Sequence, residues 1–268
     1  MKRVLTAVLL AIPALAAVVW APAWLFTLLL AAVALLAAQE FFRLGSGLGL
    51  APYRWIGYLC SAALVVALAL PISAHIWVEG AVAAWMAVLV RALADPQRMA
   101  SSAADAGFTL LAAGYCGLLL GLVGAVRQLP MGIDWVVFLL AVVWLGDIAA
   151  LYVGRSLGRH HMAPRVSPKK TWEGAAASFL TALLVGAACG VWVALPTHHW
   201  PILELALLGG AVNIGAQAGD LVESLLKRGA HVKDSGALLP GHGGILDRID
   251  ALLFAAPVLW YYVASFHR

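Results

Sequence analysis

Charged residues are scarce in this chain, and the scarcity determines its class. Only 11% of its 268 residues are Asp, Glu, Lys or Arg, whereas 63% are hydrophobic. A soluble globular protein has roughly 45–50% apolar residues, so this composition excludes that class. Helices satisfy their own backbone hydrogen bonds in lipid. The composition therefore predicts an all-α, polytopic integral membrane protein.

Cysteine is scarce as well, and several organising features are absent. Cys60, Cys116 and Cys189 lie far apart within apolar runs, so neither a disulfide framework nor a zinc spacing can be read from them. We find no soluble domain, low-complexity tail or internal repeat. The formal net charge of +4 does not indicate a nucleic-acid partner, because in a membrane protein the positions of the cations matter more than their sum.

Nine apolar segments have the length of roughly 17–25 residues that a membrane-spanning helix needs. We expect one membrane-embedded domain over residues 1–268, with N-terminal helices over about 1–130 and catalytic helices and loops over about 131–268. The first segment, which follows Met-Lys-Arg, also resembles a signal peptide, but the next begins so soon that we expect it to be retained. The segments are about 4–20, 23–42, 56–72, 76–94, 107–126, 133–153, 173–195, 202–226 and 250–266.

The distribution of Lys and Arg predicts the orientation of these segments. With a cytoplasmic N-terminus and nine spans, 15 of the 17 basic residues face the cytoplasm, and only Arg127 and Arg268 face outward. This asymmetry is the one that the positive-inside rule describes. We therefore predict a multi-pass protein of the cell (cytoplasmic, inner) membrane. Its charged loops 155–172 and 227–249 would face the cytoplasm, where nucleotides are found.

Polar residues follow one face of the eighth predicted helix. Their spacing of 4, 3, 4 and 3 residues places them in one stripe, and they are Asn213, Gln217, Asp220, Ser224 and Lys227. Interhelical hydrogen bonding is the alternative explanation for Asn and Gln. The ionisable Asp220 favours a functional site, because a carboxylate in a span is costly. Gly215 and Gly219 predict close packing against another helix.

Two further stretches bring groups that suit phosphate and metal. Asp147 precedes Arg155 by about two helical turns and approaches the same cytoplasmic end as Asp220, which favours a shared site. The basic loop ends in Ser167-Pro168-Lys169-Lys170-Thr171, just before a helix predicted to start near Trp172. Hydroxyls, lysines and free helix N-terminal amides together suit phosphate oxygens.

The loop after the eighth helix adds glycines and acids. Pro240-Gly241-His242-Gly243-Gly244 allows positive φ and a close approach of the backbone to a ligand. Asp247 and Asp250 share one helical face, and carboxylates with phosphate oxygens and water are the usual surroundings of Mg²⁺. By contrast, we interpret Glu40, Glu79 and Glu204 as interfacial or interhelical polar groups.

At these residues the chain resembles a known family. The segment Ser224-x-x-Lys227-Arg228-x4-Lys233-Asp234-x-Gly236-x-x-Leu239-Pro240-x-His242-Gly243-Gly244-x-x-Asp247-Arg248-x-Asp250 is similar to the diagnostic motif of the phosphatidate cytidylyltransferases. The upstream S-P-K-K-T-W-E-G and a helix bearing Asp147 resemble that family too. One departure is Leu151, where the family often has an aromatic residue; Tyr152 follows it.

The resemblance implies transfer of CMP from CTP to phosphatidic acid, giving CDP-diacylglycerol and pyrophosphate. It also implies Mg²⁺ dependence, K⁺ as a candidate second cation, and a homodimer in the lipid bilayer.

The two substrates are highly anionic, so we expect catalysis by positioning and charge neutralisation. Asp220 and Asp247 are the predicted Mg²⁺ ligands, and Asp147, Asp234 and Asp250 are candidates for a second cation or for orienting groups. The remaining predicted residues would hold triphosphate, nucleotide or lipid phosphate: Ser167, Lys169, Lys170, Thr171, Ser224, Lys227, Arg228, Lys233, His242, Gly243, Gly244 and Arg248.

Two other functions fit parts of the sequence. A related transferase acting on a polyprenyl-type lipid would share the chemistry and differ in the acceptor. An ion-coupled transporter would also carry intramembrane Asp, Asn and Gln. That class predicts polar groups near the bilayer midplane and paired repeats, whereas here the polar groups gather towards one predicted end.

Overall fold

Helices dominate the computed structural model, which describes residues 2–70, 74–192, 202–238 and 243–266, and 81% of it is helical. A π-helical turn, Ala113–Leu118, joins α5 to α6 in one continuous run. The α-helices are α1 (Lys2–Trp20), α2 (Ala23–Gly47), α3 (Arg54–Leu68), α4 (Ala74–Leu93), α5 (Ser102–Ala112), α6 (Leu119–Gln128), α7 (Gly132–Ser156), α8 (Trp172–Trp192), α9 (Ile202–Gly229) and α10 (Leu246–Phe266). The strands are β1 (His161–Ala163) and β2 (Ser167–Thr171).

Each predicted apolar segment overlaps one of these helices, and the segment over about 107–126 corresponds to the run from α5 to α6. Residues 71–72 and 193–195 of two segments lie outside the described residues. Within the described residues, six helical stretches are long and apolar enough to cross a membrane. They are Ala23–Gly47, Ser102–Gln128, Gly132–Ser156, Trp172–Gly190, Ile202–Gly229 and Leu246–Phe266. A multi-pass helical protein is therefore confirmed, whereas the count of nine spans stays a prediction.

The chain forms two compact units, and the first contains Met1–Gln128 and Leu226–Ile249. Its apolar core is built on α2, where the Phe41 ring lies 4.9 Å from that of Phe108 and 5.2 Å from that of Tyr115. The π-helical turn packs closely on α3, because a Cβ added at Gly117 would lie 2.6 Å from the Ser61 Cα. This packing fixes α2, which also carries Glu40.

The second unit contains Leu129–Leu225 and Asp250–Arg268. Glycines let its helices approach at backbone distance. A Cβ at Gly215 would lie 2.8 Å from the Phe254 carbonyl oxygen, and a Cβ at Gly219 would collide with the Asp250 carbonyl oxygen. The predicted close packing at Gly215 and Gly219 is confirmed, and its partner is α10.

The basic loop 155–172 contains a short β-hairpin that was not expected from the sequence. β1 and β2 pair antiparallel, with His161 opposite Thr171 and Ala163 opposite Ser167. The strand Ser-Pro-Lys-Lys-Thr lacks the alternation of apolar and polar residues by which strands are recognised. The start of the next helix near Trp172 is confirmed. The hairpin thus presents its lysines immediately before α8.

Candidate functional site

A cavity of about 280 Å³ lies beside the β-hairpin in the second unit, and we call it the hairpin cavity. Its polar lining comes from α7, β2, α8 and α9, and it includes Asp147, Lys169, Lys170, Thr171, Gln217 and Asp220. The predicted convergence of Asp147 and Asp220 is therefore present, because both carboxylates line the same cavity. Two lysines and a threonine of the Ser167–Thr171 stretch line it as well.

An ion pair joins the hairpin to α9 inside this cavity. The Lys170 Nζ lies 2.7 Å from the Asp220 Oδ2, and the side chains are 24% and 37% exposed, respectively. The Ser224 hydroxyl donates to the Asp220 Oδ1 at 3.4 Å, one turn along the same helix. Partial exposure leaves both charged groups accessible to a water-soluble anion or cation.

The N-terminal part of the polar stripe on α9 makes interhelical hydrogen bonds. The buried Asn213 amide donates to the Ser178 hydroxyl of α8 at 2.9 Å. The Gln217 amide donates to the Asn213 Oδ1 at 2.6 Å and to the Ala175 carbonyl oxygen at 3.2 Å. These contacts match the alternative explanation for Asn213, while Gln217 both bonds to α8 and lines the hairpin cavity.

Thr171 has a structural role besides its place in the cavity. Its hydroxyl oxygen accepts a hydrogen bond from the Gly174 amide at 3.2 Å, so Thr171 caps the N-terminus of α8. Such a cap satisfies one of the amides that a helix start leaves without an intrahelical partner. The threonine hydroxyl hydrogen is still available to a phosphate oxygen, because capping uses only the oxygen.

A second polar cluster lies in the first unit around the carboxylate of Asp247, and we call it the Asp247 network. The Lys227 Nζ donates to Oδ1 at 2.6 Å, and the two side chains are 11% and 7% exposed. Oδ2 accepts from the Ser235 amide at 2.9 Å and the Gly244 amide at 2.8 Å, and it lies 2.9 Å from the Ser235 hydroxyl, whose single hydrogen it shares with Glu40. Four hydrogen bonds occupy about as many sites as a carboxylate offers. Asp247 is therefore held rigidly by its own chain.

Glu40 of α2 completes this network, and its predicted interhelical role is confirmed by its contact with the first residue of α10. It is only 2% exposed. Its carboxylate accepts from the Ser235 hydroxyl at 2.9 Å, the Ile245 amide at 3.0 Å and the Leu246 amide at 2.8 Å. Glu40 thus caps the N-terminus of α10, where free amides and the helix dipole favour a negative charge.

Motif glycines make room for this network. A Cβ at Gly244 would collide with the Glu40 carboxylate and the Ser235 hydroxyl, and a Cβ at Gly236 would also collide with the Glu40 carboxylate. Gly243 has φ +78°, a conformation that side chains with a Cβ rarely adopt. Positive φ in this segment is therefore confirmed, whereas the close approach at Gly236 and Gly244 is made to a carboxylate of the protein itself.

The other predicted residues occupy varied positions. Lys233, Asp234 and Arg248 are exposed in the first unit. Arg228, also exposed, donates from Nη1 to the Val232 carbonyl oxygen at 3.1 Å, where α9 ends. Ser167 is half-buried in β2, and the half-buried Asp250 accepts from the Ala251 amide in the second unit. His242 lies outside the described residues.

The donor groups of the hairpin cavity fit Mg²⁺ as a partner of bound phosphates. Mg²⁺ is usually held by one or two carboxylates together with substrate phosphates and water, and Asp147 and Asp220 provide two carboxylates in a cavity with room for phosphate. Within the ranges that the structure describes, no three His, Cys, Asp or Glu side chains gather into a metal site of their own.

Comparison with known proteins decides the family. The profile of the cytidylyltransferase family matches residues 1–266. The chain belongs to the cytidylyltransferase family. Phosphatidate cytidylyltransferase of Staphylococcus epidermidis is 35% identical over 240 residues, which cover 88% of this chain and 87% of the relative.

Two other relatives of the same name match over shorter regions. Those of Brucella suis and Bacillus subtilis are 46% identical over 157 residues and 40% identical over 163 residues. The matched region spans 56% of the Brucella protein and 60% of the Bacillus protein, or 59% and 60% of this chain. The family assignment rests on the nearly complete profile match and on the Staphylococcus relative.

Two residues of the Asp247 network were not among the predicted site residues, namely Glu40 and Ser235. Glu40 did carry a signal, because an acid in an apolar span is costly and seldom without a partner. Ser235 carried none, since a serine in a polar loop is common. Both become recognisable only when α2 and the 226–249 segment are seen together in one unit.

Proposed function

We propose that this cytidylyltransferase transfers CMP from CTP to phosphatidic acid, producing CDP-diacylglycerol and pyrophosphate. The observation that carries the proposal is the hairpin cavity, where two carboxylates and two lysines line one space in a chain of this family. Both substrates are rich in phosphate, and a site with fixed charges of both signs suits a reaction between two anions.

The bond changes require no nucleophilic side chain. An oxygen of the lipid phosphate attacks the α-phosphorus of CTP, and the bond between that phosphorus and the pyrophosphate oxygen breaks. The lipid phosphate is already anionic, so a strong general base is unnecessary. The chain's task is to align two anions and to neutralise the charge that develops on pyrophosphate.

Lysines on the hairpin and on α9 are assigned to the phosphates. Lys169 and Lys170 would hold phosphate oxygens in the hairpin cavity, and the Lys170 ammonium would exchange its contact with Asp220 for one with substrate. The sequence-based assignment of Lys227, Arg228, Lys233 and Arg248 to the triphosphate stays a prediction. Ammonium and guanidinium groups form charge-assisted hydrogen bonds with phosphate, which are stronger than neutral ones.

Magnesium dependence belongs to the same proposal. Bound Mg²⁺ would neutralise phosphate charge and orient the phosphates for in-line attack. Asp220, with Asp147 beside it in the hairpin cavity, would hold the cation in the second unit. The sequence-based assignment of Asp247 as the other Mg²⁺ ligand stays a prediction. So does the assignment of Asp147, Asp234 and Asp250 to a second cation, for which K⁺ is the candidate, or to orienting groups.

The membrane arrangement is also proposed. We expect nine spans with a cytoplasmic N-terminus, one functional domain over the whole chain, and a homodimer in the cytoplasmic membrane. The site would then open to the cytoplasm, where CTP is available. Cysteine-accessibility labelling of single residues placed in loops 155–172 and 47–53 would test the orientation, because both loops should react from the cytoplasmic side only.

The decisive experiment measures pyrophosphate release by the purified protein. CTP is supplied with or without phosphatidic acid and Mg²⁺, and a parallel reaction offers a polyprenyl phosphate as acceptor. We expect release only when CTP, phosphatidic acid and Mg²⁺ are all present. Release with the polyprenyl phosphate alone would assign a different acceptor, and no release with either lipid would refute the proposal.

A pair of variants tests whether the hairpin cavity is the site. Asp220→Asn should lower turnover by orders of magnitude, because it removes a charge from the cavity. Asp134→Asn is the matched control, since Asp134 is an exposed acid in the first turn of α7 in the same unit, outside the hairpin cavity. Equal activity of the two variants would move the site elsewhere.

A further inference from the structure

Glu40 makes its three hydrogen bonds to a segment about 200 residues later in the chain. Oε1 accepts from the Ile245 amide, and Oε2 accepts from the Leu246 amide and the Ser235 hydroxyl. All three donors belong to the segment that carries the family motif. The carboxylate therefore ties α2 to the beginning of α10 and to the loop before it.

The position of Glu40 is difficult to explain by packing alone. A buried carboxylate is retained only if hydrogen bonds compensate for the loss of water, and an apolar side chain would fill the same space without that penalty. Ala37, Ala38, Phe41 and Phe42, its neighbours on α2, are all fully buried and apolar. The presence of an acid among these apolar side chains indicates that the protein needs the hydrogen bonds that Glu40 accepts.

The hydrogen bonds of Glu40 connect it to Asp247. The Ser235 hydroxyl lies 2.9 Å from the Glu40 Oε2 and 2.9 Å from the Asp247 Oδ2, so the two carboxylates share its single hydrogen. Leu246, whose amide Glu40 accepts, immediately precedes Asp247 in the chain. Both the side chain and the backbone of Asp247 are thus located by Glu40, and Asp247 in turn holds Lys227 at 2.6 Å.

We infer that Glu40 is a positioning residue, which sets the placement of Asp247 and Lys227 for binding of the nucleotide phosphates. This inference rests on the proposed function, because it concerns the same reaction. Glu40 itself, at 2% exposure, does not reach substrate. It acts through Ser235 and through the capped N-terminus of α10.

Replacement of Glu40 tests this role through CTP affinity. Glu40→Gln keeps the size of the side chain but places amide hydrogens against backbone amides and weakens the remaining bonds. We expect the KM for CTP, and the Kd for CTP measured by titration calorimetry with Mg²⁺ present, to rise roughly 10- to 100-fold, the range for loss of charge-assisted hydrogen bonds. Glu40→Asp, which retains the charge with a shorter reach, should give an intermediate value.

Two further variants separate positioning from folding. Ser235→Ala breaks the bridge to Asp247 while leaving the Glu40 contacts with Ile245 and Leu246, so it should raise the CTP Kd with little loss of folded protein. Glu204→Gln is the matched control. Glu204 is an acid within a span, and its carboxylate accepts a hydrogen bond from Tyr262. Both residues belong to the second unit, whereas Glu40 belongs to the first. Its replacement should leave the CTP Kd unchanged.

The CTP affinities of these variants decide whether Glu40 is a positioning residue. A raised CTP Kd in Glu40→Gln and Ser235→Ala, but not in Glu204→Gln, supports positioning. Unchanged CTP affinity in both variants, with only a smaller folded fraction, overturns it. Hydrogen exchange at Ile245 and Leu246 needs no substrate and should accelerate in Glu40→Gln; unchanged exchange would also overturn the inference. Failure of the parent protein to consume CTP would refute the proposed function instead.

Discussion

Replacement of two aspartates separates the contribution of charge to stability from its contribution to turnover. Asp247 and Lys227 form an ion pair of 2.6 Å with side chains only 7% and 11% exposed. Removal of one partner of a buried pair leaves an uncompensated charge, which costs about 3–5 kcal/mol. In Asp247→Asn the amide oxygen can still accept from Ser235 and Gly244, so we expect the lower end, about 3 kcal/mol.

Asp220 differs because its ion pair is partly solvated. Lys170 and Asp220 are 24% and 37% exposed, and exposed pairs contribute roughly 0–1 kcal/mol. Asp220→Asn should therefore lower the free energy of unfolding by less than about 1 kcal/mol, while turnover falls by orders of magnitude. The difference in burial thus predicts a clear loss of stability for Asp247→Asn but not for Asp220→Asn.

The comparison requires two measurements on each purified variant. Unfolding is followed by titration with sodium dodecyl sulfate in mixed micelles, and activity is followed as CMP transfer to phosphatidic acid. The double variant Lys227→Met with Asp247→Asn provides a control, because it removes both charges of the pair and keeps an oxygen that can accept from Ser235 and Gly244. It should recover stability without recovering activity. Equal free energies of unfolding for Asp247→Asn and Asp220→Asn, within about 1 kcal/mol, would refute this explanation. Burial of the pair between Lys227 and Asp247 would then not determine how much that pair contributes to stability.

Three other changes test separate parts of the structure. Gly244→Ala should destabilise the protein by about 1–3 kcal/mol in the same unfolding assay, because its Cβ would collide with Glu40. Gly107→Ala is the control: its Cβ would meet no atom within contact distance, so this change should be neutral or slightly stabilising. Asn213→Ala should cost about 1–3 kcal/mol by leaving buried partners unsatisfied; no loss would show that water replaces the amide. Lys170→Gln should lower kcat/KM for CTP at least 10-fold with stability within about 1 kcal/mol, and unchanged kcat/KM would exclude Lys170 from phosphate binding.

The helices were predictable because each one is a long apolar run interrupted by proline, glycine or charge. The start of α8 at Trp172 and the tight packing at Gly215 and Gly219 follow from local signals of this kind. The β-hairpin before α8 was not predictable, since its strand Ser167–Thr171 is polar and contains proline. Its pairing is determined by the partner strand and not by its own composition.

The site was predictable only where its residues approach one another along helices. Asp147 and Asp220 each lie near a predicted helix end on the same side, so their meeting in the hairpin cavity follows from the helix pattern. Glu40 could not be connected to Ser235 in this way, because 195 residues separate them. A single sequence gives no register between segments so far apart. The cost of a carboxylate in an apolar helix indicates that Glu40 needs a partner, but it does not identify that partner.

The glycines of the family motif acquire a different physical reason from the structure. From the sequence, Gly243 and Gly244 suggest a backbone that approaches a ligand. Gly243 does use the conformational freedom of glycine, with φ +78°. Gly244 and Gly236 instead admit the Glu40 carboxylate, which a Cβ at either position would meet. These two motif glycines therefore leave room for the side chain of Glu40. The three atoms nearest to a Cβ at Gly236 all belong to Glu40. A smaller residue at position 40 would therefore remove the steric need for glycine at 236, so Glu40→Ala should relieve the steric part of the destabilisation that Gly236→Ala causes alone. Additive losses in that double variant, measured by the same unfolding titration, would contradict this explanation of the glycines.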